Sequence, residues 1–566
     1  MKRCCKSFLA TSGAAFLAST VAAFGADVTY ERLRNPEPQN WLTNHHDYGS
    51  QRYSPLDLIN RSNARNLKLA FTVPIGGKTG NEYIEATPLV DNGFMYLTDV
   101  WGIVYKLDVR SGTHAPVVWK MDPHQQKPDR NRGVALWGNL VISVTGYDGR
   151  IIATDAETGQ VVWDKKHSDN PDLEFSAAPL ALGDAILVGA SGGDNGVRDW
   201  LAALDPKTGE QRWKTFIVPA PGEPGSETWK DKANAWQTGG GALYVTGSYD
   251  PQTNLTYWGT GNPVPRYDSS YRPGDNLFTD SSVAFDAASG KMQWYFQHTP
   301  NDNKDYDSTG PQIIIDGRVN GEDRKLLIHA NRNGFEYMLD RLNGQFLKSV
   351  QYSQKVTWTK GLDPKTGKPV DYDPRKDVQN FAIDWPGGAD VVKNACPDVH
   401  GGTNFWPPSY SQRTRLFYIA GNEGCADIIP DLTAHVRGKF TGGNYRNEAR
   451  ITSDLVVVDP VSGEVKARKE EPYPNHSGVL TTAGGIVVTA LLDGTVAAYD
   501  DQTLDELWKF NTGTGFVVPP MTYAVNGMQY IAIASGLNGV ARAKLAHSPE
   551  MKNQSNATML FVFAVP

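Results

Sequence analysis

One recurring phrase constrains the fold of this chain more than any other feature. It is an apolar pair, an Asp, two or three residues, Ser/Thr-Gly, and a Trp a few residues on. It stands as Ala153-Thr-Asp155-Ala-Glu-Thr-Gly159-Gln-Val-Val-Trp163, as Ala203-Leu-Asp205 leading to Gly209 and Trp213, and as Ala284-Phe-Asp286 leading to Gly290 and Trp294. A version with Leu504 in place of Gly runs from Asp500 to Trp508, and weaker copies centre on Asp108, Asp340 and Asp459. Asp and Thr or Ser side chains bond turn backbone, and Gly supplies a positive φ, so each phrase reads as a hairpin after a short strand. Its Trp buries a large area and is expected to pack between neighbouring sheets. Successive Asp residues are 47, 50, 81, 54, 119 and 41 positions apart. A unit of about 40–50 residues fits a four-stranded propeller blade. The two long gaps leave room for insertions or one degenerate copy. Seven phrases plus one blade closed between the chain ends predict an all-β, eight-bladed β-propeller. A β-solenoid or a pair of sandwiches is the alternative, but neither needs a Trp at the end of each hairpin.

Composition agrees. The 566 residues include 56 Gly, 35 Pro, 15 Trp, 24 Tyr and 20 Phe, with 40% hydrophobic and 21% charged residues. That excludes a disordered, collagen-like or coiled-coil protein. A net charge of −7 argues against nucleic acid as partner. At the start, Lys2, Arg3 and Lys6 precede an apolar stretch from Phe8 to Ala23. Cleavage near Ala26 would leave Asp27 first, so residues 1–26 read as a secretory signal peptide and 27–566 as one propeller domain. A membrane anchor is the other reading, but Ser12, Gly13, Ser19 and Thr20 interrupt the short run. No other segment has 18 consecutive apolar residues, so a periplasmic protein without stable membrane insertion is expected. Removal of Cys4 and Cys5 with the leader leaves Cys396 and Cys425.

The Asp-Gly-Trp phrases resemble the tryptophan docking motifs of the quinoprotein alcohol dehydrogenases, the family of methanol dehydrogenase. Those are eight-bladed propellers that use pyrroloquinoline quinone (PQQ) and a metal ion. Three site motifs carry the resemblance further. Gly259-Thr-Gly-Asn262-Pro, followed by Arg272-Pro-Gly-Asp-Asn276, places Asn262 as a metal ligand with a hard amide oxygen. Thr299-Pro-Asn-Asp302-Asn-Lys-Asp305-Tyr-Asp307 places Asp305 as catalytic base and metal ligand, with Asp307 as a further ligand that favours a lanthanide over Ca²⁺. Without the family, three Asp in six residues read as a solvated acidic turn. Ser191-Gly192-Gly193-Asp194 places Asp194 where the family offers the metal a Glu. For the cofactor, the resemblance assigns Glu85, Arg132, Ser176, Asn404 and Arg332 as polar contacts, and Ser191, Gly192 and Gly193 as a backbone cradle. A tricarboxylate needs such cations and donors.

The chain also departs from the family. The family stacks its quinone on a Trp. This chain has Tyr244 after Gly239-Gly-Gly-Ala-Leu. Gln126 and Lys127 stand where the family carries two adjacent cysteines over the other face. Cys396 and Cys425 match a longer-range family disulfide, which a loop of that length would stabilise by roughly 3–4 kcal/mol. No Cys-x-x-Cys-His is present, so no fused haem domain is expected.

The resemblance implies oxidation of an alcohol to an aldehyde or ketone by hydride transfer to PQQ, with electrons passed to a separate soluble cytochrome c or a dye. Asp305 would take the hydroxyl proton, Arg332 would stabilise charge on the quinone, and a lanthanide or Ca²⁺ would polarise it. A homodimer is compatible with this reading. A sugar, an aldehyde or a bulky hydroxylated compound is an alternative substrate. A non-enzymatic envelope scaffold is a further alternative. A scaffold would keep the docking Trp and Gly, but it has no reason to keep Glu85, Asn262, Asp305, Asp307 and Arg332 together.

Overall fold

The computed structural model describes residues 1, 27–79, 82–381, 390–433, 440–447 and 449–566. The expected signal peptide, residues 1–26, lies outside these apart from Met1. Among the described residues, the protein is built from eight sheets of four or five strands and a ninth of three. In the first sheet, Leu89–Asp91, Phe94–Thr98, Val104–Asp108 and Val117–Met121 pair in order, each antiparallel to the next. The second sheet repeats this between Ala135–Trp137 and Val161–Lys166, and the third between Leu180–Ala181 and Gln211–Phe216. The fourth runs from Ser248–Asp250 to Met292–Gln297, and the fifth from Ile313–Val319 to Phe346–Gln351.

Each sheet has a dry side and a wet edge. Ile151, Ile152, Ala153 and Thr154 are buried in the third strand of the second sheet. Val161, Val162 and Asp164 in its fourth strand are exposed. Three covered strands and one exposed strand suit an element sandwiched between two neighbours.

The recurring phrase makes the turn between third and fourth strands and the contact to the preceding sheet. Asp155 Oδ1 accepts from the backbone N–H of Glu157 and Thr158 and from the Thr158 hydroxyl. Gly159 follows at φ +74°. In four of the phrases the indole N–H of the Trp donates to a carbonyl in the turn of the next sheet. Trp119 reaches Ala156 at 3.2 Å, Trp163 reaches Pro206 at 3.0 Å, Trp213 reaches Ala287 at 3.1 Å and Trp294 reaches Arg341 at 3.0 Å. The Trp face lies on the Gly of that turn. A Cβ on Gly290 would sit 2.4 Å from the Trp213 ring, and one on Gly344 would sit 2.6 Å from Trp294.

The sixth sheet joins Ser409–Ser411, Leu416–Glu423, Thr452–Asp459 and Glu464–Glu471. Among the described residues, no Trp indole is hydrogen-bonded across its seam with the fifth. Lys348 Nζ instead donates to Val461 and Ser462 carbonyls at 2.9 and 2.8 Å. The seventh sheet runs from Val479–Thr482 to Glu506–Asn511 and gains Tyr53–Ser54 in parallel. The eighth takes Met521–Val525, Met528–Ala534 and Met559–Ala564, and its fourth strand is Lys68–Pro74 from the other end of the chain.

The two long gaps in the repeat are insertions. Between Asp205 and Asp286, residues 217–247 and 260–280 are loops and short 3₁₀ turns. Between Asp340 and Asp459 lie a long loop and the three-stranded sheet of Val392–Ala395, Ala426–Pro430 and Gly443–Asn447. Cys396 and Cys425 are disulfide-bonded within this insertion, Cα atoms 4.4 Å apart. Among the described residues, no helix is long and apolar enough to cross a membrane.

Candidate active site

The acidic stretch from Asp302 to Asp307 lies between the fourth and fifth sheets and is buried throughout. Its shape follows from its own first residue. Asp302 accepts from the backbone N–H of Lys304 at 3.0 Å and of Tyr306 at 2.9 Å. The fully buried Arg272 then clamps the stretch by donating to the Asp302 carbonyl, while bonding Asn276 and the Pro265 carbonyl. The Arg272 to Asn276 phrase is thus a brace for this loop. Tyr306 bonds the Pro397 carbonyl at 2.6 Å, which pins the far insertion to it. Within this frame Asp305 adopts φ +69°, a left-handed conformation that a branched-free but non-glycine residue holds only under constraint.

Two arginines converge on the carboxylates. Arg332 Nη1 donates to the Asp305 carbonyl at 2.6 Å and lies 3.6 Å from Asp305 Oδ1. Its Nη2 lies 2.5 Å from Asp307 Oδ2 and donates to the Tyr244 hydroxyl at 2.6 Å. Tyr244 in turn donates to Asp307 Oδ2 at 2.6 Å. Arg266 Nη1 lies 3.1 Å from Asp305 Oδ2 and 3.3 Å from Asp194 Oδ2. Burial raises the Asp305 carboxyl well above its usual range, against the pull of Arg266 and Arg332. Burial raises Asp307 too, with Arg332 opposing it. Burial would lower the Arg332 guanidinium, but Asp307, Tyr244 and Asp305 outweigh it and the group stays firmly charged.

The expected cofactor contacts form a second, adjoining group. Arg132 pairs with Glu85 at 2.9 Å and donates to the Tyr244 carbonyl at 3.0 Å. Its guanidinium lies over the Tyr244 ring at 5.1 Å and the Phe405 ring at 4.4 Å. Glu85 also accepts from Asn538, the N-cap of the helix Gly539–Leu545. Ser176 and Ser191 hydroxyls are 3.1 Å apart. Gly192 takes φ +117°, and a Cβ on Gly193 would lie 2.8 Å from Gly240 Cα. Asn404 Oδ1 lies 3.3 Å from the Tyr244 hydroxyl. Tyr244 therefore joins the two groups. Gln126 and Lys127 are exposed and take no part.

The expected metal ligands are not gathered in the same way. Asn262 donates its backbone N–H to Asp307 Oδ1 at 2.6 Å, and its side-chain amide bonds the Pro263 carbonyl. Asp194 sits at the rim with its side chain 48% exposed and turned to Arg266. Among the described residues, no three Asp, Glu, His or Cys side chains converge as a metal site.

Sequence reasoning found Asp305, Arg332, Tyr244 and the cofactor contacts as residues and did not find Arg266, Tyr306 or Asn538. Arg266 follows Asn262-Pro-Val-Pro with no motif of its own. Asn538 is a helix cap whose partner is 453 positions away.

Comparisons with known proteins point one way. Residues 41–357 and 453–531 match the family described as "Glucose/ethanol/alcohol dehydrogenase, beta-propeller domain". The quinoprotein alcohol dehydrogenase PedH of Pseudomonas putida is 35% identical, over 96% of this chain and 94% of its own. The putative dehydrogenase XoxF of Paracoccus denitrificans is 32% identical, over 91% and 90%. Among solved structures, a europium-containing methanol dehydrogenase superposes with a TM-score of 0.86 at 29% identity, covering 94% of this chain and 99% of that one. The quinohemoprotein alcohol dehydrogenase of Comamonas testosteroni gives 0.84 at 31% identity, covering 95% and 83%.

Proposed function

The chain belongs to the PQQ-dependent quinoprotein alcohol dehydrogenases, and from that premise we propose that it oxidises an alcohol in the periplasm and passes the electrons to a separate cytochrome c. We read the eight larger sheets as blades of one propeller over residues 27–566, closed by Lys68–Pro74, and the Trp–Gly contacts as its docking motifs. Residues 1–26 are the cleaved leader in this reading.

The residues fit PQQ. Arg132 Nε and Arg332 Nε are buried with no hydrogen-bond partner, which suits an anionic, planar tricarboxylate. Arg132, Glu85, Ser176, Ser191, Gly192, Gly193 and Asn404 would hold it, with the Tyr244 ring beneath. Bound PQQ supplies the acceptor for the hydride of the alcohol carbon. The chain's own part is proton transfer and charge. Asp305 Oδ2 takes the hydroxyl proton; burial raises its affinity for that proton, and Arg266 and Arg332 oppose the rise. Arg332 keeps its charge beside Asp305, where it would stabilise negative charge developing on a bound quinone. The observation that carries this reading is Asp305 itself, held at a positive φ between two guanidinium groups.

The oxygen donors Asp194, Asn262, Asp305 and Asp307 have the chemistry of a lanthanide or Ca²⁺ set. Their arrangement does not fit an ion, because Arg266 and Arg332 stand between the carboxylates. No step is assigned to a metal. Gln126 and Lys127, at the sequence positions of the family's cysteine pair, are exposed, and on that sequence departure we read a bulky alcohol as the preferred substrate.

The test is titration of purified protein with PQQ, followed by dye reduction with alcohols of increasing size. We expect stoichiometric uptake and alcohol-dependent reduction. Absence of uptake under all ionic conditions overturns the reading.

A further inference from the structure

The carboxylates that a cation would join are already joined by one. Arg266 Nη1 lies within 3.1–3.3 Å of both Asp305 and Asp194. This guanidinium is not a stray surface group. Pro263 and Pro265 stiffen the approach to it, and its own carbonyl accepts from Arg272 at 3.2 Å. The next residue, Tyr267, is tied through its backbone N–H to the Thr441 carbonyl and lays its ring 5.4 Å from the guanidinium. Arg266 Nε is buried without a hydrogen-bond partner.

The charges make the same point. Asp194, Asp305 and Asp307 contribute at most three negative charges, and Arg266 and Arg332 stand against them with two positive ones. The group is nearly neutral as it stands. A divalent or trivalent ion placed among these carboxylates would meet two fixed cations in a poorly solvated region. With Arg266 removed, three carboxylates and the Asn262 amide would face one arginine, a set suited to a hard cation.

We propose that Arg266 is the resident cation of this active site, standing in for the metal ion, so that the protein binds PQQ and oxidises alcohol without a lanthanide or Ca²⁺. The clause on PQQ rests on the function proposed above, and the clause on metal does not. Arg266 is a positioning residue for Asp305 in this scheme, because its contact is with the base.

Terbium(III) luminescence and La³⁺ and Ca²⁺ calorimetry separate the two. The wild-type protein, with and without PQQ, is expected to bind no stoichiometric ion at micromolar concentration. In EDTA its PQQ affinity is expected to stay within about twofold of that with added La³⁺ or Ca²⁺. Arg266→Gln is expected to gain one ion site at least tenfold tighter and to make PQQ uptake ion-dependent. Arg266→Lys, which keeps the charge, is expected to resemble the wild type. Binding of one equivalent of Tb³⁺, La³⁺ or Ca²⁺ by the wild type as tightly as by Arg266→Gln overturns the proposal. The wild-type titration alone decides it if the variant does not fold. Failure of every form to bind PQQ, with the ion results as expected, refutes the PQQ reading and leaves the Arg266 assignment standing.

Discussion

The Trp-lined seams between sheets and the loops around the candidate site are held by different physics. A seam such as that at Trp213 uses neutral hydrogen bonds, from the indole to Ala287 and from the Thr215 hydroxyl to the Gly290 carbonyl, and a ring laid on a glycine. The site loops use buried charge: Arg332 on Asp305 and Asp307, Arg266 on Asp194 and Asp305, Lys544 on Asp398. A seam contact can be repeated, because an apolar surface with one satisfied donor asks little of its neighbours. A buried ion pair asks for a specific partner at a specific distance, and losing one partner strands the other. The repeating part of the molecule therefore carries the architecture, and the loops around the candidate site carry its buried charge.

The largest contrast is expected at Asp305. Asp305→Asn should lower turnover by about 10²–10⁴-fold while PQQ uptake and melting temperature stay near wild type. Turnover within tenfold of wild type in a steady-state dye assay would remove Asp305 as the base. Lys544→Met should come next, as a stability effect. Lys544 and Asp398 are both buried and directly paired, with Asn447 completing the set at 2.8 and 2.9 Å. Removing the ammonium leaves a buried carboxylate, which costs about 3–5 kcal/mol. Burial would raise Asp398, but Lys544 pulls it from 3.8 down to about 2. A depressed carboxyl contributes its stability above its unfolded value and loses it as the pH falls. Urea denaturation of the wild type should therefore show this contribution fading between about pH 4 and pH 2, and Lys544→Met should lack that component.

A seam change should cost less. Gly290→Ala adds a methyl at φ +71° against the Trp213 ring and should destabilise by about 2–3 kcal/mol, leaving kcat of the folded enzyme unchanged. A selective loss of kcat would show that seams and site are coupled. Lys348→Met, in the seam between the fifth and sixth sheets, should cost about 1 kcal/mol. An effect as large as that at Gly290 would mean that the lysine substitutes fully for the indole.

This division also explains what the sequence made legible. The Asp155, Asp205 and Asp286 phrases announced their turns because a turn, a glycine and a Trp are local signals. They announced the partner sheet as well, since the same phrase supplies both halves of a seam. The unconventional seams were harder to see. Lys348 carries no mark of its role, and Leu504 holds φ +60° where the other phrases have glycine. In the site, Asp305 and Asp307 were legible as a dense acidic run. Their pairings with Arg332 and Tyr244, and Arg266 altogether, were not, because these side chains reach them from loops up to 63 positions away. Ion pairs made by tertiary proximity leave no periodicity in a sequence.

The eighth sheet has a consequence for how the molecule comes into being. Its outer strand, Lys68–Pro74, must wait for Met559–Ala564 before it has anything to pair with. The Glu85–Asn538 hydrogen bond waits on the same event. Ring closure is therefore a late, long-range step, slow in the way that distant contacts are slow. Until it happens, Glu85 lacks its Asn538 partner. A chain stalled before residue 559 would hold most of its sheets and lack the outer pairing of the eighth, so under the function proposed above cofactor loading is expected only in the finished chain.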